Sequence, residues 1–152
     1  RVTLIRECWS RPEANASEFR DGWFNSGDIG FLDADGYLYL TDRAKDMVIR
    51  GGENIFPLEV EKTLMDAPQV LETVAFGVPD DQWGEELAMV VRLKRPGSMD
   101  ENAVREFLSA RLAAFKVPRY VSFTEEPLPR NATEKVLKKE VRHAFIATHD
   151  LH

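Results

Sequence analysis

Residues 47–61 read MVIRGGENIFPLEVE, and this stretch decides how the rest of the chain is parsed. Met47-Val-Ile-Arg50 reads as a strand, and Gly51-Gly52 end it. Pro57 then opens a helix, since a first-turn residue loses nothing by lacking an amide hydrogen. That helix is predicted to run to about Asp66. Leu58, Val60, Glu61, Leu64 and Met65 give it a partly apolar face.

Working outward toward the C-terminus, Val70 to Val78 and Leu87 to Leu93 read as buried strands. Ser98-Met-Asp-Glu101 has the spacing of a capping box, with the serine predicted to accept from the Glu101 amide. The helix it opens carries one apolar stripe: Ala103, Val104, Phe107, Leu108 and Leu112. Tyr120 to Phe123 is a strand. The last helix is predicted to begin near Lys135, with Leu137, Val141 and Phe145 inward and Lys138, Lys139 and Arg142 mostly outward.

Toward the N-terminus, Pro12 to Phe19 can form a short helix. Trp23-Phe24, Ile29 to Leu32 and Tyr37 to Leu40 read as short strands. Asp33-Ala-Asp-Gly36 reads as a hairpin turn, with glycine supplying positive φ. A calcium loop fails there, because further acidic ligands are missing at the required spacing. The charged run Thr41 to Asp46 marks a boundary between residues 1–45 and 46–152. The expected class is α+β: a short β-hairpin and a mostly antiparallel sheet flanked by helices.

The bulk numbers narrow the function. The chain of 152 residues carries net charge -6 and a pI near 5.1, which argues against a general nucleic-acid surface. No apolar run approaches the roughly 20 residues that cross a bilayer, so membrane contact is not indicated. Arg1 to Arg6 is too short an apolar patch for a leader. The single cysteine, Cys8, excludes an internal disulfide and fits a reducing, cytoplasmic setting. His143, His149 and His152 have only Asp150 for company, so no metal site is expected.

Four local features carry possible chemistry. Asp28, in Ser26-Gly27-Asp28, could accept from two sugar hydroxyls; on spacing alone the favoured reading is a turn aspartate bonding its own backbone. Arg43, in Asp42-Arg-Ala-Lys-Asp46, could grip a ribose or phosphate, or belong to a solvated connector. Gly51-Gly52 permits close approach of a ligand, or only a turn. Lys135, placed at a helix start, would sit at the unfavourable end of the dipole and so invite an anion; the plain alternative is a surface lysine. No G-x-x-x-x-G-K-[ST] phosphate loop occurs.

Taken together, four runs in order resemble the late motifs of AMP-forming acyl-CoA synthetases, the adenylate-forming superfamily. They are DGWFNSGDIGFLDADGYLYLTDRAKDMVIRGGENIFPLEVE (21–61), GVPDDQWGEE (77–86), FKVPRYV (115–121) and LPRNATEKVLKKEV (128–141). The resemblance implies that residues 1–45 end a large N-terminal domain and 46–152 form its small mobile C-terminal partner. It implies a ligase that activates a carboxylic acid with ATP as acyl-AMP and then makes the coenzyme A thioester. Mg²⁺ would be held with the N-terminal domain, and this chain alone would be inactive.

Residue by residue, Asp28 and Arg43 match the nucleotide-binding pair and Lys45 the hinge. Lys135 matches the lysine that enters the adenylation site. Gly51 and Gly52 match the loop lining the pantetheine path, and Trp83, Phe115 and Arg119 resemble positions flanking coenzyme A. Glu134 stands where the family usually has glycine, and Ser26 where it usually has threonine. Two other readings stay open: an adenylation domain that loads a carrier protein, and a non-catalytic interaction module of the same fold.

Overall fold

The computed structural model describes residues 7–151. Arg1 to Arg6 and His152 lie outside the described residues. The chain divides into two compact units, Arg1–Lys45 and Asp46–His152.

The first unit begins with helix α1 (Pro12–Glu18), with proline at its first turn. Strands β1 (Phe19–Arg20) and β2 (Trp23–Phe24) form a minimal antiparallel pair. Strands β3 (Asp28–Leu32) and β4 (Leu38–Arg43) form a longer hairpin with a bulge between Ile29 and Gly30. The expected turn closes it: the Asp33 carboxylate accepts from the Asp35 and Tyr37 amides, and Gly36 adopts φ 84°. Phe31 and Tyr39 stack across the strands at 5.1 Å.

A single 3-10 turn, Ala44–Asp46, leads into the second unit. Strands β5 (Val48–Arg50) and β6 (Glu53–Ile55) form a tight hairpin through Gly51-Gly52. β6 is an addition to the predicted elements. Helix α2 (Pro57–Met65) follows, with Val60 and Leu64 buried. Met65, predicted on the apolar face, is 47% exposed.

Strands β7 (Val70–Asp80) and β8 (Gly84–Leu93) are the long antiparallel ladder at the centre. Helix α3 (Glu101–Ser109), a 3-10 turn (Ala114–Lys116), strand β9 (Tyr120–Thr124) and helix α4 (Lys138–His149) complete the unit. β9 runs parallel to β8 from Ala88 to Arg92, and β5 touches β8 at Gly84. The result is a mostly antiparallel five-stranded sheet with β8 inside it. The class is α+β, as expected.

The two faces follow from the period-two alternation of strand side chains. Ala75, Leu87, Met89 and Val91 point to a layer with Val60 and Leu64 of α2 and Val104 and Leu108 of α3. Val74, Phe76, Val78, Ala88 and Val90 point to the opposite layer with Val141 and Phe145 of α4. Both faces are covered, so β7 and β8 read as nearly continuous apolar runs.

Three details correct the expectations. The N-cap of α3 is Asp100, whose Oδ1 accepts from the Ala103 amide at 2.8 Å. Ser98 is two residues too early; its backbone amide turns back to Arg95, and its Oγ is buried with no hydrogen-bond partner among the described residues. Helix α4 starts at Lys138, not near Lys135, because Asn131 competes for the backbone groups a helix would use. Finally, Lys138 and Arg142 do not simply face outward. Lys138 Nζ bonds Glu61 at 3.0 Å, and Arg142 Nε donates to the Gly77 carbonyl at 2.7 Å.

Candidate functional site

In the first unit the β3–β4 register sets Asp28 directly opposite Arg43. Arg43 Nε donates to Asp28 Oδ1 at 3.0 Å, with the arginine side chain 42% and the aspartate 27% exposed. The Asp28 amide donates to Ser26 Oγ at 3.2 Å, and Asn25 Oδ1 receives the Gly27 amide. Asp28 therefore gives one carboxylate oxygen to Arg43, in a half-open carboxylate–guanidinium pair. Lys45 is exposed in the Ala44–Asp46 turn where the two units join.

In the second unit, Lys135 sits in a small closed loop. The ends of the loop meet in an antiparallel bridge, Arg130 with Val136. Asn131 fills its centre: Oδ1 accepts from the Thr133 amide, the Thr133 hydroxyl and the Lys135 amide at 3.0, 2.8 and 2.9 Å. The Asn131 amide in turn donates to the Lys135 carbonyl at 2.9 Å. Glu134 adopts φ 62°. The Lys135 ammonium is exposed and pairs with no group among the described residues. Since Lys135 precedes α4, the helix-dipole reason for an anion falls; the unpaired ammonium is the observation that takes its place.

Glu72 anchors this loop, and sequence reasoning missed it. Its Oε1 accepts from Arg92 Nη1 at 3.1 Å and from the Leu128 amide at 3.2 Å. Its Oε2 accepts from Arg130 Nη2 at 2.7 Å. Desolvation alone would raise the Glu72 carboxyl, but the bonds from Arg130, Leu128 and Arg92 outweigh it and hold it below the ordinary range. These partners lie 20 to 58 residues away along the chain, so no local pattern announces them.

A second cluster forms at the Gly84 end of β8. Glu86 is 2% exposed and receives Arg50 Nη2 at 2.8 Å. That bond strengthens the protonation of Arg50 against the opposing desolvation. The Arg50 guanidinium lies 4.8 Å above the Trp83 ring. Asp80 accepts the Gln82 and Trp83 amides on Oδ1 and Arg119 Nη1 on Oδ2 at 2.8 Å.

Gly51 (φ 56°) lies under Trp83, and a Cβ there would run into the indole. Gly52 (φ 91°) faces open space. The structure thus brings Gly51, Trp83 and Arg119 into one neighbourhood through Arg50, Asp80 and Glu86, none of which the sequence singled out. Phe115 instead packs against the α2–α3 core layer.

Among the described residues no group of three or more His, Cys, Asp or Glu side chains is placed to hold a metal ion. None of their helices is long and apolar enough to cross a membrane.

The family described as AMP-binding enzyme C-terminal domain matches residues 59–135. Over 145 residues the chain is 50% identical to 2-succinylbenzoate–CoA ligase of Geobacillus kaustophilus, covering 95% of this chain and 29% of that one. It is 44% identical over 145 residues to long-chain-fatty-acid–CoA ligase FadD13 of Mycobacterium tuberculosis, covering 95% of this chain and 28% of the relative. Among solved structures, ATP-bound MatB from Rhodopseudomonas palustris superposes with a TM-score of 0.82 at 40% identity, over 90% of this chain and 27% of that chain. The chain therefore spans under a third of the length of the curated relatives it matches.

Proposed function

The chain belongs to the AMP-binding enzyme C-terminal domain family, and from that premise we propose that it works as the C-terminal part of an AMP-forming acid–CoA ligase. In the first half-reaction a carboxylate oxygen attacks the α-phosphorus of ATP. An acyl–oxygen–phosphorus linkage forms, and pyrophosphate leaves with the electron pair of the broken bond. In the second, the sulfur of coenzyme A attacks the acyl carbon, AMP leaves with its oxygen's pair, and the thiol proton goes to solvent.

The observation that carries this reading is the Lys135 ammonium: exposed, unpaired among the described residues, and on a loop tied to β7. Three neighbouring cations are committed, Arg130 to Glu72, Lys138 to Glu61 and Arg142 to the Gly77 carbonyl, whereas exposed Lys139 lies beyond the loop, on α4. An uncommitted ammonium suits an anion brought by the rest of the enzyme. Placed between carboxylate and triphosphate, it offsets their repulsion and the charge that develops on the α-phosphate.

Asp28 takes the ribose hydroxyls, with Arg43 steadying its carboxylate, and Lys45 serves as the hinge between half-reactions. Residues 1–45 end the large N-terminal domain, and 46–152 move as one body. Gly51, Gly52, Trp83, Phe115 and Arg119 border the path of coenzyme A. Magnesium enters with ATP; no residue of this chain is assigned to it. Relatives named as CoA ligases support thioester formation over loading of a carrier protein. Those two relatives are named for different acids, so the acid is left at its class, a fatty or aryl carboxylate. The cytoplasmic reading rests on the lone Cys8.

The test uses the complete enzyme, with this chain alone as a control expected to form no acyl-adenylate. Lys135→Ala should slow pyrophosphate release by about 10²–10³-fold, the loss typical of one electrostatic stabiliser. It should spare thioester formation from supplied acyl-AMP. Gly52→Leu, which puts a branched side chain at φ 91°, should do the reverse. Equal slowing of the same half-reaction by both variants sinks the assignment.

A further inference from the structure

Lys135 is not aimed by a helix. It is aimed by the peptide unit just before it, and both polar atoms of that unit are held by side chains. The Glu134 carbonyl accepts from Arg130 Nη1 at 2.8 Å. The Lys135 amide donates to Asn131 Oδ1 at 2.9 Å. With the carbonyl and the amide both fixed, the plane of the peptide is fixed, and so is the direction in which the lysine stem leaves the backbone.

The holding groups are themselves held. Arg130 uses its other terminal nitrogen on Glu72 Oε2 at 2.7 Å, so one planar guanidinium spans from β7 to the loop. Glu72 also takes the Leu128 amide at 3.2 Å, and Leu128 is 4% exposed. Beyond the lysine, Val136 packs into the α4 core layer and pairs with Arg130. The loop is thus pinned before, at and after Lys135, while the ammonium is left unpaired among the described residues.

We propose that Arg130, braced by Glu72, is the positioning residue for Lys135 in adenylate formation. It touches neither ATP nor the acid; it acts by fixing the Glu134–Lys135 peptide. This rests on the reading of Lys135 given above. A lysine stem is long and flexible, and a displacement of about 1 Å in a catalytic group costs up to about a hundredfold in rate. Free rotation of that peptide would therefore lower turnover without weakening substrate binding.

The experiment measures both half-reactions of the complete enzyme for Arg130→Ala, Arg130→Lys, Lys135→Ala and the double variant Arg130→Ala/Lys135→Ala. Arg130→Ala should lower kcat for pyrophosphate release about ten- to hundredfold, with KM for ATP and acid within about twofold. Thioester formation from supplied acyl-AMP should stay unchanged. Arg130→Lys keeps the charge but cannot bond Glu72 and Glu134 together as a fork, so it should recover only part of the loss. In the double variant the arginine change should add nothing to the loss from Lys135→Ala.

An Arg130→Ala enzyme with full adenylation overturns the proposal, as does one that loses both half-reactions equally, or a double variant whose losses multiply. If Arg130→Ala alone fails to fold, the Arg130→Lys split between kcat and KM decides in its place. If Lys135→Ala leaves adenylation intact, the functional reading itself has failed, an outcome distinct from failure at Arg130 alone.

Discussion

The two ends of the β7–β8 ladder are organised around one buried or half-buried glutamate each, yet they dispose of charge in opposite ways. At the end where Glu72 faces Arg92, the carboxylate gathers two arginines and a backbone amide and hands their rigidity to a loop. The Lys135 ammonium on that loop is left without a partner among the described residues. At the end where Asp80 faces Gly84, charges close on each other: Arg50 on Glu86, Arg119 on Asp80. What is presented there is an indole face and an open glycine turn. One end leaves an ammonium without a partner among the described residues, the other pairs its arginines with carboxylates beside an indole and a glycine turn, and a single antiparallel ladder carries both.

The sharpest way to break that contrast is to remove the closed pair. Arg50→Ala would leave Glu86, 2% exposed, without its 2.8 Å partner. Arg119 lies 3.9 Å from the same oxygen and offers only weak compensation. Breaking a buried pair costs about 3–5 kcal/mol, and the partial access of Arg50 places the expected loss near 3 kcal/mol. Urea denaturation of this chain should show it. A loss below about 1 kcal/mol would mean the pair does not anchor this end.

A smaller effect is expected at the other end, and its signature is pH. Bonds from Arg130, Leu128 and Arg92 hold the Glu72 carboxyl below the ordinary glutamate range, so they contribute stability above that range and lose it as pH falls through the lowered folded value. Glu72→Gln removes this contribution. The variant should be less stable than the parent by about 1–2 kcal/mol at neutral pH, the scale of charge-assisted bonds. The gap should close as pH drops below about 4. A gap that persists undiminished at acid pH would show that shape, not charge, holds the loop.

These anchors explain which parts were legible in the sequence. The Asp33–Gly36 turn, the proline-opened α2 and the apolar runs of β7 and β8 each rest on residues within a few positions of one another. The starts of α3 and α4 misled because neighbours competed: Asp100 is better placed than Ser98 to reach Ala103, and Asn131 takes the groups that a helix through Lys135 would have used. β6 was hidden because Glu53 and Asn54 are exposed and only Ile55 is buried. Glu72, Arg130, Arg50 and Glu86 were invisible for a different reason. A charged residue announces a partner, but not which partner, when tens of residues intervene. The family motif pointed to Lys135; it carried no account of what aims it.

The smallest expected effect bears on Glu134, where this chain departs from the family's usual glycine. Its φ of 62° lies in the left-handed region. A non-glycine residue there costs roughly 1–2 kcal/mol, whereas glycine costs roughly 0.5–1 kcal/mol in lost chain entropy on folding. Glu134→Gly should therefore leave stability within about 1 kcal/mol of the parent, on the favourable side. What the loop needs from this position is its backbone: a carbonyl for Arg130, joined to an amide for Asn131. Both survive the substitution, so pyrophosphate release by the complete enzyme should stay within about threefold of the parent, given an unmoved lysine. A tenfold loss would assign work to the Glu134 carboxylate itself. It would also mean that the Lys135 end of the ladder depends on a side-chain charge that the present contrast leaves out.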